Sequence, residues 1–258
     1  ISSTITDSEI EYGDNWPNAK NFDMNLILNG SRIEFHSDQG EILGNRFTSF
    51  KGIISDFTID EPILNIDAEF ISPLDIIVNF INNSPVKTVM QGSSDEMNGK
   101  GPGSLELSLN IPLKDIDKMT YDGVYKFQGS SLENQQFDLP LLVEIYGDLF
   151  FNQDNVSINN AIALLYDEPI NLSLYNQDQN SVLDIQGYIN NKLIENSLGS
   201  KWLKKINGEA KWNAQLKINE NQSTFTLETD LKGITIDALA DFNKTASESI
   251  PFKLIKKS

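Results

Sequence analysis

Apolar and polar residues alternate along most of this chain, a pattern typical of β-strands with one buried face. The clearest case is residues 64–70, which read Leu-Asn-Ile-Asp-Ala-Glu-Phe, and the alternation returns at residues 105–111, 183–189 and 212–218. Turn signals such as Asn29-Gly30 separate the strands, which favours antiparallel pairing because parallel strands need long crossover connections. The sequence therefore predicts a mainly β protein with an antiparallel sheet.

Only two segments carry apolar residues at helical spacing. They are residues 74–81, which follow Pro73, and residues 193–203. Each lies between two alternating segments, so residues 64–113 and 183–218 share the order strand, helix, strand. We therefore expect two short amphipathic helices and a weak internal repeat.

The domain organisation is predicted from the same pattern. Residues 1–20 are polar and are interpreted as a lead-in, and residues 21–258 as a single elongated β domain. The sequence begins with Ile1 rather than Met, so we expect it to be a fragment of a longer protein. It contains no run near the roughly 18 apolar residues of a membrane span.

Composition excludes several classes of function. The net charge of −17 at pH 7 argues against nucleic acid and against docking on anionic lipid, since both need Lys and Arg. The absence of Cys excludes disulfides, iron–sulfur clusters and thiolate zinc sites. His36 is the only histidine, and we interpret it as a surface residue rather than a base or ligand.

Little in the sequence indicates catalysis. Acidic pairs such as Asp167-Glu168 could serve a glycosidase only if two carboxylates met across a cleft. Asp115 and Asp117 lack the dense series of ligands that a calcium loop uses. The glycine-rich segment 99–103 contains a proline and opens no helix, so it is interpreted as a turn rather than a phosphate loop. We expect no enzyme activity, no metal and no cofactor.

The most informative feature is the apolar face of the predicted sheet. An ordinary sandwich core is the simpler interpretation of that face, and a ligand-binding surface is the alternative. Its candidate residues are Ile66, Ala68, Phe70, Leu105, Leu107, Leu109, Ile111, Leu141, Val143, Ile145, Leu172, Leu174, Ile185, Ile189, Trp212, Leu216, Ile218, Phe225 and Leu227.

Four segments in order along the chain carry a family resemblance: residues 59–86, 101–113, 163–174 and 231–254. Together they resemble the central domain of the YhdP family, the AsmA-like envelope proteins related to TamB. The resemblance covers most of the chain, from about Phe35 to Leu254.

The fourth segment resembles the family in detail. It keeps the family's residues at Gly233, Phe242, Lys244, Glu248 and Pro251. It departs from the family where relatives tend to have prolines, at Leu239 and Asp241. Because proline restricts the backbone, the loop around these two positions is not expected to keep the shape that it has in the relatives.

The resemblance implies an extended, curved antiparallel sheet that forms a half-pipe, or groove, with an apolar lining. It implies a periplasmic segment of a protein tethered to the inner membrane by a helix outside this sequence. Such proteins are implicated in phospholipid transport towards the outer membrane and in outer-membrane biogenesis. The 19 candidate residues would then contact acyl chains, and the partners would be phospholipid and other envelope or outer-membrane proteins.

Two other functions remain open at this stage. One is a structural domain with a closed core that scaffolds envelope assembly. The other is a carbohydrate-active β protein that uses paired carboxylates.

Overall fold

The fold is known from a computed structural model and is mainly β, as the sequence predicts. The described residues are 1–11, 15–89, 94, 96–135, 139–178, 180–198, 205–219, 222–237 and 243–257.

One antiparallel sheet of 15 strands contains most of the described chain, and it is not closed. Fourteen of its strands pair in the order β1-β2-β3-β4-β5-β7-β8-β9-β10-β11-β12-β14-β15-β18, and β6 pairs with β8. The strands of its first half are β1 (Ser2–Ile10), β2 (Ala19–Asn29), β3 (Arg32–Ile42), β4 (Asn45–Ile54), β5 (Ile63–Ile71), β6 (Met97–Lys100), β7 (Gly103–Pro112) and β8 (Thr120–Asn134). Those of its second half are β9 (Leu139–Asn152), β10 (Val156–Leu165), β11 (Glu168–Gln177), β12 (Asn180–Ile189), β14 (Ala210–Asn219), β15 (Gln222–Thr229) and β18 (Phe252–Lys257).

A smaller sheet of three strands pairs in the order β13-β16-β17. Its strands are β13 (Ile206–Gly208), β16 (Ile234–Asp237) and β17 (Asn243–Lys244).

The helices within the described residues are short. They are α1 (Leu74–Asn82), α2 (Val86–Val89), α3 (Asn191–Leu198) and a 3₁₀ turn at Ile116–Lys118. The first predicted helix is confirmed as α1, whereas α2 was not predicted. The second predicted helix is α3 where it is described, and its last predicted residues, Trp202 and Leu203, lie outside the described residues. Among the residues described, no helix is long and apolar enough to cross a membrane.

The helices begin and end where local chemistry dictates. Pro73 precedes α1 with φ of −53°, a value its ring fixes, and its carbonyl already accepts a bond from the amide of Ile77. Asn83 closes the helix, because its side-chain amide donates to the carbonyl of Asn79 at 2.8 Å. In α3 the side-chain oxygen of Asn190 accepts from the amide of Leu193 at 2.9 Å, which satisfies one of the free donors of the first turn.

In both segments predicted as repeats, the chain returns to the large sheet beside the strand it left. β5 pairs directly with β7, with Ile66 opposite Leu109, and α1, α2 and β6 lie between them in the chain. β12 pairs directly with β14, with Ile185 opposite Ala214, and α3 and β13 lie between them. Both segments therefore have the same order of elements around a pair of adjacent strands.

The chain divides into two compact units. Unit 1 contains Ile1–Ser130 and Asp148–Val156, and unit 2 contains Ser131–Gly147 and Ser157–Ser258. The single elongated domain inferred from the sequence stays a prediction.

A cluster of phenylalanine rings fills one part of unit 1. Phe22 lies 5.1 Å from Phe47 and 4.9 Å from Phe50, measured between ring centroids, and Phe47 lies 6.0 Å from Phe70. Tilted and edge-on pairs at such distances are favourable beyond the apolar area they bury. The cluster joins β2, β4 and β5 on one face of the sheet.

Residues 1–20, predicted from the sequence as a polar lead-in, contain the strand β1. β1 pairs with β2 over most of its length, although the register shifts around Ser8. Trp16 is only 8% exposed, and its ring lies 6.0 Å from that of Phe80 and 5.7 Å from that of Tyr121. β1 was missed because most of its residues are exposed on both faces, so no apolar alternation marks it.

We expect Trp16→Ala to lower the free energy of unfolding of this chain by about 3–5 kcal/mol, since it removes a buried ring that joins α1 to β8. Chemical denaturation followed by circular dichroism measures the change. The matched control is Ile59→Ala, because Ile59 is 52% exposed. An equal effect of both substitutions would contradict the structural role assigned to Trp16.

Candidate functional site

In unit 1, the candidate residues of β5 and β7 lie opposite one another on a single face. Ile66 is opposite Leu109, and β8 continues the face with Tyr121 opposite Leu109. All are deeply buried, with exposures of 2–8%; the candidates here are Ile66, Ala68, Phe70, Leu105, Leu107, Leu109 and Ile111. Their predicted position on one apolar face agrees with the structure, and their predicted contact with lipid stays a prediction.

Side chains of unit 1 pack against this part of the face. Trp16 contacts Tyr121 on one side and Phe80 of α1 on the other. The hydroxyl of Tyr125 donates to the carbonyl of Ser72 at 3.0 Å, and burial raises the pKa of that hydroxyl far above its ordinary value. A neutral, hydrogen-bonded tyrosine is what a dry interior requires. The apolar face of unit 1 is therefore largely a protein core.

In unit 2 the apolar face extends across six paired strands. One row of cross-strand neighbours runs from β10 to β18; it consists of Ala161, Leu172, Ile185, Ala214, Leu227 and Leu254. Six strands about 4.8 Å apart span about 24 Å. A second row, on the same face, consists of Ile158, Leu174, Leu183, Leu216 and Phe225. We call these residues, together with Trp212 and Phe252, the unit 2 lining.

Exposure rises along the unit 2 lining towards the edge strand β18. Ile185 and Ala214 are each 4% exposed, Leu227 is half-buried, and Leu254 is 48% exposed. Two residues earlier in β14 and β18, Trp212 is 5% exposed and Phe252 is 47% exposed. An apolar surface thus begins inside the unit and continues to the solvent at β18.

The candidates of unit 2 that the sequence predicted, apart from Leu141 and Val143, fall into two groups by burial. Those that are buried are Ile145, Leu172, Ile185, Trp212, Leu216 and Ile218, and those that are half-buried are Leu174, Ile189, Phe225 and Leu227. The candidate list drawn from the sequence omits Phe252 and Leu254, although residues 252–254 alternate apolar, polar, apolar.

The candidates in β9 are partly corrected. In residues 141–145, Leu142, at 2% exposed, and Ile145 are buried, whereas Leu141 is 52% exposed. Glu144 has a left-handed φ of 51°, so the alternation is interrupted between Leu142 and Ile145. Leu141 and Val143, which flank Leu142, therefore do not share a face with Ile145 as the sequence predicted.

Part of the opposite face of unit 2 is polar. Gln215 donates to Asp184 at 2.8 Å, and Lys253 lies 2.6 Å from Glu228 across β15 and β18. These residues line an open pocket with a volume of about 420 Å³. Thr226 beside Phe225 and Lys253 beside Phe252 are polar positions next to residues of the unit 2 lining, and they supply controls for experiments on the lining.

The family-typical residues of the fourth segment stabilise the small sheet and the loop after it. Gly233 has φ of 102°, in the region that favours glycine, and its amide donates to the carbonyl of Ala246 at 2.8 Å. Lys244 is 4% exposed, and its ammonium group donates to the carbonyls of Ile234 and Thr245.

Glu248 completes this loop, because its carboxylate accepts from the amide of Thr245 at 2.6 Å. That hydrogen bond holds the pKa of Glu248 below its usual value. Pro251 is exposed, and Phe242, Leu239 and Asp241 lie outside the described residues.

The polar candidates weighed in the sequence analysis have structural partners. The Nε2 atom of His36 lies 3.3 Å from Glu34, which also pairs with Arg32, and Asp115 pairs with Lys118. In the described part of the chain, no group of three or more His, Asp or Glu residues is arranged to hold a metal ion. The expected absence of a cofactor stays a prediction.

These features define a class: a β protein in which one open antiparallel sheet carries an extended apolar lining. The chain belongs to the YhdP family, whose family model, described as YhdP protein, matches residues 1–258. Membership of this family indicates an AsmA-like envelope protein. No curated protein and no solved structure matches the chain.

We expect Lys244→Met to lower the free energy of unfolding by about 2–3 kcal/mol, because it keeps the buried stem but leaves two carbonyls without their donor. Urea denaturation of the purified chain measures this loss. Lys253→Met is the control, since Lys253 is exposed and its ion pair with Glu228 lies at the surface. A loss no greater than that of the control would show that Lys244 does not stabilise the loop.

Proposed function

We propose that this chain is a periplasmic segment of a bridge-like phospholipid transport protein, in which acyl chains lie on the unit 2 lining. The observation that carries the proposal is the row of six apolar residues from Ala161 to Leu254, which ends at a half-exposed strand. Its span of about 24 Å exceeds the roughly 15 Å that one acyl chain fills in half of a bilayer core.

The energetics of lipid transfer favour a long lining over a single pocket. Each acyl CH₂ group that enters water costs about 0.8 kcal/mol, so a chain of about 15 methylenes costs about 12 kcal/mol. A conduit offsets that cost only if apolar surface continues along the path. Adjacent strands whose apolar side chains lie side by side on one face supply such a surface.

The rest of the proposal follows from this role and from the family. Transfer of intact lipid needs no catalytic residue and no cofactor, so we propose that the chain is not an enzyme. Its partners are phospholipid and other envelope or outer-membrane proteins, with an inner-membrane anchor elsewhere in the protein. The net charge of −17 supports the exclusion of nucleic acid.

A scaffolding role is the second candidate, and unit 1 supplies its support. There the apolar face packs against Trp16 and the ring of Phe80, and residues such as Leu105 are 2% exposed. A segment with this burial acts as a structural core. In our proposal unit 1 is chiefly structural, and unit 2 makes the contacts with lipid.

We expect Phe225→Asp to weaken the binding of phospholipid at least about tenfold, because a carboxylate beside an acyl chain loses its hydration. The control is Thr226→Asp, which places the same charge on the opposite face of β15. Uptake of fluorescent phosphatidylethanolamine by the purified chain measures the binding, and thermal melting confirms that both variants fold.

The location of the lipid is tested by a photocrosslinking residue at Phe225 or Phe252, with the neighbouring Thr226 or Lys253 as the control. Lipid adducts at Phe225 and Phe252, and few at the control positions, are the expected result. Adducts at none of the four positions, or no uptake by the unaltered chain, would favour the scaffolding role.

A further inference from the structure

One polar atom of the unit 2 lining has no hydrogen-bond partner. Within the described residues, three buried side-chain polar atoms lack such a partner: Asn82 Oδ1, Ser94 Oγ and Trp212 Nε1. Only Trp212 belongs to the lining, and its indole N–H can donate but not accept.

The indole of Trp212 reaches from β14 across the neighbouring strand β12. Gly187 lies directly opposite Trp212, and a Cβ atom at Gly187 would lie 2.9 Å from Cζ2 and 3.0 Å from Cε2 of the indole. The same Cβ position is 3.0 Å from Cγ2 of Ile170. The edge of the ring that carries the N–H group therefore rests over a glycine and beside an aliphatic side chain.

The nearest polar side chain in register is already engaged. Thr229 is the cross-strand neighbour of Trp212 in β15. Its hydroxyl donates to the carbonyl of Lys211 at 2.7 Å and accepts from the amide of Leu231 at 3.1 Å. The backbone groups of β12 and β14 pair with each other in the ladder. The donor of Trp212 is thus held in apolar surroundings with its proton unused.

A buried donor without an acceptor is unfavourable, and a ligand that supplies an acceptor removes that penalty. The hydrocarbon part of an acyl chain has no acceptor, whereas the glycerol ester at its head has a carbonyl oxygen. We propose that Trp212 Nε1 donates a hydrogen bond to an ester carbonyl of a phospholipid whose acyl chain lies on the unit 2 lining. This inference rests on the proposed function and identifies the polar contact within it.

An uncharged acceptor fits this position better than a charged one. The cross-strand neighbours of Trp212 are Gly187 and Thr229, and neither brings a cation to offset a buried carboxylate or phosphate. Thr229 in turn pairs with Phe252, which is 47% exposed. Trp212 lies two strands, about 10 Å, from that exposed position, so a headgroup joined to the ester remains close to water.

The test compares two lipids and two proteins. Vesicles contain either dioleoyl phosphatidylcholine, with ester linkages, or its ether analogue, with the same chains and headgroup. We expect the unaltered chain to bind the diester about tenfold more tightly, which corresponds to 1.4 kcal/mol. Trp212→Phe keeps an aromatic ring without the donor, and we expect it to bind the diester and the diether with equal affinity.

Two controls keep the result decisive. Gly187→Ala retains the donor but crowds the indole, so it is expected to reduce the ester preference as well. The indole N–H signal of Trp212 in ¹⁵N-labelled protein is expected to shift on addition of the diester and not of the diether. Thermal melting establishes that each variant is folded, and if Trp212→Phe does not fold, the unaltered chain with the two lipids and the indole signal decides the matter.

The outcomes separate this inference from the proposed function. Equal binding of both lipids by the unaltered chain, or an ester preference that survives in Trp212→Phe, overturns the role of Trp212 but leaves the lipid-binding lining intact. Binding of neither lipid overturns the proposed function itself. Binding of free oleate that depends more strongly on Trp212 than binding of the diester would assign the acceptor to a carboxylate and overturn the ester assignment. An indole signal that is already hydrogen-bonded without lipid would assign the acceptor to water and overturn it too.

Discussion

A sheet that is apolar on one side must bury that side, and the rest of this structure depends on how it does so. The paired strands satisfy their own backbone hydrogen bonds, so the ladder alone sets no limit on how far the sheet extends. The apolar side chains set the limit, because each row left in water costs free energy in proportion to its area. Cover for the apolar face is therefore the constraint that shapes both units.

The two units meet this constraint in different ways. Unit 1 packs Trp16 and the side chains of α1 against its lining, and Tyr125 is held neutral by burial and hydrogen-bonded to Ser72. Unit 2 buries its lining at β12 and β14, but at β18 it leaves Phe252 and Leu254 about half exposed. The apolar face is thus largely covered in unit 1, whereas in unit 2 it reaches the solvent at β18.

Much of this arrangement is predictable from the sequence, because period-2 alternation identifies which residues share a face. That reasoning placed β5, β7, β12 and β14 correctly and located α1 after Pro73. It failed in β9, where the left-handed backbone at Glu144 moves Leu141 to the other side, and in β1, which buries too little to leave a pattern.

What covers the lining is harder to predict than the lining itself. The contact between Trp16 and Tyr121 joins residues that are far apart in the sequence, and nothing local to either residue indicates the other. The unpaired donor of Trp212 depends on Gly187 and Ile170, which are brought to it only by the register of three strands. Alternation therefore identified Trp212 as a lining residue but did not reveal its unused proton.

The way in which the chain leaves and re-enters the sheet has an evolutionary consequence. Between β5 and β7, and again between β12 and β14, a helical insertion is flanked by strands that remain hydrogen-bonded neighbours. The helical part of such an insertion can lengthen, shorten or be replaced without changing the pairing or the register of the two flanking strands. Change in such an insertion can thus leave intact the apolar surface that the two flanking strands form.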